Sequence, residues 1–244
     1  MTYCAGLCLR DGLVLASDTR TNAGVDNVAT FKKMHVWERP GDRVVTLLSA
    51  GNLAASQSVV SLLDERAEER ESGASILSVG SMFQAARLVG DVVRETRQHD
   101  GSALEANSED FQVSFLLGGQ IGNGQTRLYQ IYTAGNFIET SEETPFFQIG
   151  EHKYGKPILD RVARRDMPLG DAAKLMLLSF DSTLRSNLSV GMPIDLLIYR
   201  RDALEVEFQH RVEIDDPYFI EISTSWSKAL RDVFASLPDL ELKP

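Results

Sequence analysis

Thr2 is the first residue whose chemistry carries weight. Methionine is removed during synthesis when the next residue is small, so the mature chain is expected to begin at Thr2. That places a free α-amino group beside the threonine's own hydroxyl. The α-amino pKa is about 7.7 to 8.0, near the working pH. The neutral amine therefore takes the hydroxyl proton, directly or through water, and one residue supplies both nucleophile and base. Many proteins begin Met-Thr without using it, so the weight comes from two further residues. Asp18 ends the segment Ala16-Ser17-Asp18, and Lys33 stands in Phe31-Lys32-Lys33-Met34-His35. Alone, the first is a turn former and the second a surface lysine on an edge strand. Beside a terminal threonine they would form a buried Asp–Lys pair. Lys33 would lower the pKa of the Thr2 amine and hydroxyl, and Asp18 would keep Lys33 charged and in place.

These residues need elements to position them. Thr2 to Leu9 and Leu13 to Ser17 read as a hairpin turning at Arg10-Asp11-Gly12. Lys33 to Glu38 and Arg43 to Ser49 read as a second hairpin, turning at Pro40-Gly41-Asp42. The period then changes: Leu53, Val60, Leu63 and Ala67 mark a helix from Asn52 to about Arg70, and Met82, Ala85, Val89 and Val92 a second, joined through Ser72 to Ser75. Strands resume at Phe111 to Leu117, Thr126 to Thr133 and Phe146 to Ile149, with Gly122-Asn123-Gly124 as a turn. Helices are expected at Lys156 to Ala163 and at Asp171 to Leu184, the latter with Asp171 near the N-cap. A hairpin of Ile194 to Arg200 and Leu204 to Ile214 and a last helix over Ser225 to Leu237 complete the chain. Mostly antiparallel sheets with helices in blocks outside them predict an α+β, four-layer αββα sandwich, and a single domain over residues 1–244.

Composition narrows the function. The net charge is -10, which argues against nucleic-acid binding. The densest charged run, Asp64 to Glu71, mixes signs and reads as a solvated helix end. No signal peptide and no apolar run of bilayer length is visible, so a cytoplasmic location without membrane contact is expected. Cys4 and Cys8, four residues apart on one strand, lie on the order of 13 Å apart, too far to bridge. They read as two buried thiols. No metal site is expected: the cysteines lack a second pair, and His35, His99, His152 and His210 do not cluster.

Asp11-Gly12-Leu13-Val14-Leu15-Ala16-Ser17-Asp18-Thr19-Arg20 resembles the segment that carries the catalytic aspartate in proteasome β-subunits, at matching distance from Thr2. Lys32-Lys33-Met34 resembles the lysine segment, one residue nearer, which points to a shorter loop around Gly24 to Ala29. Ser49-Ala50-Gly51-Asn52-Leu53-Ala54 resembles the glycine turn that follows. Within that superfamily of N-terminal nucleophile hydrolases the chain is most similar to Anbu, the bacterial ancestral β-subunit group. The shared features are Met-Thr-Tyr-Cys with no propeptide, Ser17 to Asp26 and Ala29 to Lys33. The HslV-type peptidases are much shorter.

The resemblance implies a threonine peptidase acting on peptides or unfolded proteins, in a large homo-oligomer built as a ring or helical stack. It requires no cofactor. The sequence does not identify an ATP-driven unfoldase. By the same resemblance Gly51 gives the oxyanion-hole amide, which suits its place between a strand and a helix start. Thr21, Phe31, Ser49 and Leu53 would line the first specificity pocket. Two departures bear on rate. Proteasome subunits carry a serine where Ile149-Gly150-Glu151-His152 reads here, so Glu151 or a neighbour replaces it. They also carry an Asp and a Ser after the fourth helix, where Ser186 or Asn187 stands for the Asp and Ser189 matches the serine. The alternatives are a weak or inactive structural ring subunit and a hydrolase of small amides.

Overall fold

Alternation along the first strand sets the architecture. In β1 (Tyr3–Leu9), Tyr3, Ala5, Leu7 and Leu9 enter one apolar cluster, while Cys4 and Cys8 enter another. Every residue of β1 and of β2 (Gly12–Asp18) is buried, so this hairpin is covered on both faces. The structure, a computed structural model, describes residues 2–22, 28–68 and 73–240.

β1 and β2 pair with each other and sit inside a five-stranded antiparallel sheet. β1 also pairs with β10 (Phe146–Gly150), and β2 with β11 (Ile194–Arg200), which carries β12 (Phe208–Val212) at its outer edge. A second sheet is an antiparallel meander of β5 (Met34–Arg39), β6 (Arg43–Gly51), β7 (Val113–Ile121), β8 (Arg127–Ile131) and β9 (Phe137–Glu139). The faces of the two sheets meet over Cys4, Leu13, Leu15, Met34, Leu48, Leu116 and Tyr199. Outside the meander lie α1 (Leu53–Glu68) and α2 (Met82–Ala106), packed on Val45, Leu47, Phe115 and Leu117. Outside the first sheet lie α3 (Lys156–Val162), α4 (Leu169–Ser186) and α5 (Pro217–Ser236), where Met176 and Phe180 of α4 cover Tyr3 and Ala16. The chain is a four-layer αββα sandwich.

Several elements differ from the sequence reading. The polar stretch after β2 holds a small ribbon of β3 (Arg20–Asn22) and β4 (Val28–Thr30), and β9 fills a segment to which the sequence reading assigns no element. α2 runs 25 residues, through Gly101, well past the last apolar mark used to place it. α4 starts at Leu169 with Pro168 at its N-cap, so Asp171 stands in the first turn, where its charge meets the helix dipole. β12 is shorter than the expected strand. α5 begins at Pro217, eight residues before the expected start at Ser225: Asp216 caps it by accepting from the Phe219 N–H (2.9 Å), with proline in the first turn. Met1, most of the loop expected around Gly24 to Ala29, the helix end and charged run at 69–71, and Ser72 lie outside the described residues. Among the described residues no helix is long and apolar enough to cross a membrane.

Candidate active site

Thr2 is held by the strand that follows it. The Glu151 N–H at the end of β10 donates to the Thr2 carbonyl at 2.6 Å, extending the β1–β10 ladder by one residue. The Tyr3 N–H donates to Asp18 Oδ1 at 3.0 Å. The peptide bond after Thr2 is therefore gripped at both its oxygen and its nitrogen. Gly150 makes the first grip possible: its φ is +78°, and a Cβ there would stand 2.1 Å from the Thr2 oxygen.

Asp18 is fully buried at the end of β2, and Lys33, just before β5, is 3% exposed. The Lys33 ammonium donates to Asp18 Oδ1 (2.8 Å) and to the Arg20 carbonyl (2.6 Å). Its backbone is fixed to β6 where its carbonyl accepts from the Ser49 N–H (3.0 Å). Asp18 Oδ2 accepts from the Gly191 N–H (3.3 Å). Burial pushes the Asp18 carboxyl up from its ordinary value, while Lys33, the Tyr3 N–H and the Gly191 N–H pull it back. Cys4 lies beneath the site with its thiol on the Ser49 carbonyl (3.5 Å), and burial raises its pKa.

Thr2 and Lys33 open onto a cleft of about 520 Å³, also lined by Thr21, Ser49, Gly51, Leu53, Gln112 and Gly150. Gly51 closes β6 with φ +110°, and a Cβ there would fall 2.0 Å from the Gln112 carbonyl. The next N–H, of Asn52, donates to that carbonyl (2.7 Å). By antiparallel alternation the Gly51 N–H leaves on the opposite edge of the strand, with that of Ser49, beyond the start of β5. Asn52 then caps α1 by accepting from the Ala55 N–H (3.1 Å), so the glycine stands at a helix N-terminus.

The structure thus brings Thr2, Lys33, Gly51, Thr21, Ser49 and Leu53 to one cleft, with Asp18 directly behind Lys33. Thr21 Oγ1 is buried and finds no hydrogen-bond partner among the described residues. Phe31 stands outside the cleft lining, 37% exposed. Ser189 is half-buried and also outside the lining, its N–H donating to Asn187 Oδ1 (2.9 Å). Sequence reasoning missed Gln112, which lies in irregular backbone just before β7 and carries no motif. It also missed the grip on the Thr2–Tyr3 peptide, for which the Gly150-Glu151 pair was the only available signal.

A four-layer αββα sandwich with Thr2, Lys33 and Gly51 on one cleft is the architecture of the N-terminal nucleophile hydrolases. The chain belongs to the proteasome subunit family: the family model described as Proteasome subunit matches residues 2–198. Among solved structures it is similar to a mutant form of Anbu from Hyphomicrobium sp. strain MC1, at 56% identity and TM-score 0.93 over 99% of this chain and 100% of that one. It is similar to Anbu, the ancestral beta-subunit, from Yersinia bercovieri, at 49% identity and TM-score 0.93 over the whole of both chains. A helical assembly of the Anbu complex from Pseudomonas aeruginosa matches at 50% identity and TM-score 0.93 over 98% of each chain.

Proposed function

We propose that the chain is a threonine-type endopeptidase, a single peptidase domain acting in the cytoplasm within a homo-oligomer of ring or helical form. Met1 is removed and Thr2 becomes the nucleophile. The observation that carries this reading is the peptide bond after Thr2, fixed at both ends beside a buried Lys33–Asp18 pair at the mouth of a cleft. The Thr2 hydroxyl adds to a substrate amide carbonyl while its proton passes to the α-amine. Lys33 lowers the pKa of both groups, and the Gly51 N–H receives the oxyanion. Collapse expels the substrate's amine, which takes the proton, and leaves an ester on Thr2. Water then hydrolyses the ester, releases the acid and restores the threonine. Thr21, Ser49 and Leu53, which line the cleft, form the first specificity pocket. The helical assembly of the 50%-identical Anbu supports the oligomer.

Intact mass spectrometry before and after incubation with a peptide epoxyketone tests this. The expected result is loss of Met1, one adduct per chain, and no adduct in Thr2→Ala. Labelling retained in Thr2→Ala would overturn the assignment, and an unprocessed Met1 would point to a structural ring subunit.

A further inference from the structure

We infer that Glu151 and Asn187 form a positioning pair that frames the nucleophile, Glu151 supplying the negative partner and Asn187 the bridge to the Asp18 loop. The inference rests on Thr2 as the reacting residue. It deepens that reading by assigning work to two buried side chains outside the cleft lining.

Both side chains are buried, at 6% and 7% exposure, and belong to separate elements: Glu151 follows β10, and Asn187 caps the end of α4. Glu151 Oε1 accepts from the His152 N–H (2.9 Å) and the Lys153 N–H (2.7 Å), and Oε2 accepts from Asn187 Nδ2 (2.7 Å). Each of these three groups is a donor, so the site matches a carboxylate and mismatches a carboxamide. These bonds outweigh the upward pull of burial and hold the Glu151 carboxyl below its ordinary value. Asn187 has its orientation fixed from both ends, with its NH₂ on Glu151 and its Oδ1 on the Ser189 N–H (2.9 Å).

The bonds close a circuit around the Thr2–Tyr3 peptide. Glu151 holds the Thr2 carbonyl through its own N–H and holds Asn187 through its carboxylate. Asn187 shapes the turn after α4 through Ser189 and through the Val190 N–H, which donates to its carbonyl (3.2 Å). That turn delivers the Gly191 N–H to Asp18, and Asp18 returns to the Tyr3 N–H. A shift of Asn187 therefore reaches the nucleophile from two directions. No part of the pair lines the cleft, so its action is positional.

The test exchanges the two chemistries. In Glu151→Gln the new NH₂ faces the NH₂ of Asn187, so one must turn: if Asn187 turns, the Ser189 N–H loses its acceptor, and if the new carboxamide turns, the His152 and Lys153 N–H groups lose theirs. In Glu151→Gln with Asn187→Asp the bonds named above are restored, with the polarity of the central one reversed. The measurements are the kinact and KI of a peptide epoxyketone on Thr2, and hydrogen exchange of the Tyr3 and Gly191 amides. Glu151→Gln is expected to lower kinact by about tenfold or more, with KI changed by less than about threefold, and to speed exchange at both amides. The double variant should return both readouts to within about threefold of the parent. Unchanged kinact and exchange in Glu151→Gln would overturn the inference. So would a double variant no better than the single, or one that fails to fold. If Glu151→Gln alone fails to fold, the double variant decides: parental values support the pair. A parent chain that takes no label sinks the Thr2 reading alone, because amide exchange still reads the pair.

Discussion

Replacing Lys33 with methionine keeps most of the side-chain volume and removes the cation from a fully buried Asp18. The carboxylate would keep the Tyr3 and Gly191 N–H bonds, at 3.0 and 3.3 Å, but lose its 2.8 Å partner. Breaking a buried pair from one side costs about 3–5 kcal/mol, because the remaining charge stays desolvated. The chain can avoid that cost by binding a proton. The folded Asp18 pKa then lies well above the unfolded value of about 3.9, so between those two values the folded state holds a proton that the unfolded chain has released. Stability of the variant therefore rises as pH falls through that window, at up to about 1.4 kcal/mol per pH unit relative to the parent. A deficit of 3–5 kcal/mol should close over roughly 2 to 4 pH units below neutrality. Urea unfolding of parent and Lys33→Met at pH 8, 7, 6 and 5 measures it. Adding Asp18→Asn should remove the pH dependence and most of the deficit. A loss below about 1 kcal/mol at pH 7, or a loss that does not change with pH, would refute the argument that burial makes this pair expensive to break.

Further outcomes follow from the same geometry. Gly51→Ala introduces a Cβ 2.0 Å from the Gln112 carbonyl at φ +110°. It should cut epoxyketone labelling by about 10²-fold and lower stability by about 1–3 kcal/mol, read by labelling kinetics and thermal unfolding. Cys4 and Cys8 are no more than 1% exposed, with thiols pushed up by burial. Iodoacetamide at pH 8 should therefore leave both unmodified in the folded protein and alkylate both in urea, as mass spectrometry would show.

The elements that carry the site were legible in the sequence because they repeat regularly. The first hairpin and the β5–β6 hairpin are bounded by Asp-Gly and Pro-Gly turns, and α1 announces itself by its apolar spacing. Segments whose structure depends on partners far along the chain were harder to read. β3 and β4 are three residues each, too short to carry a period. β9 exists as an addition to β8. α5 has one buried residue, Phe219, so hydropathy understated its length, while the Asp216-Pro217 start signal was passed over. In the site, Thr2, Asp18 and Lys33 were marked by spacing. The Glu151–Asn187 contact joins residues 36 apart in sequence, and its members looked like losses until the fold placed them together.

The placement of β1 between β2 and β10 also fixes when the site comes into being. The β1–β2 hairpin joins neighbours in sequence and needs little more than itself. Yet the grip on the Thr2 carbonyl waits for Glu151, and the bond from Gly191 to Asp18 spans 173 residues. Contacts so distant along the chain close late and slowly. The frame around Thr2 is thus begun by a local hairpin and finished nearly last. A partly folded chain carries Thr2 with no frame around it, and under the proposed function its reactivity becomes a property of the completed fold.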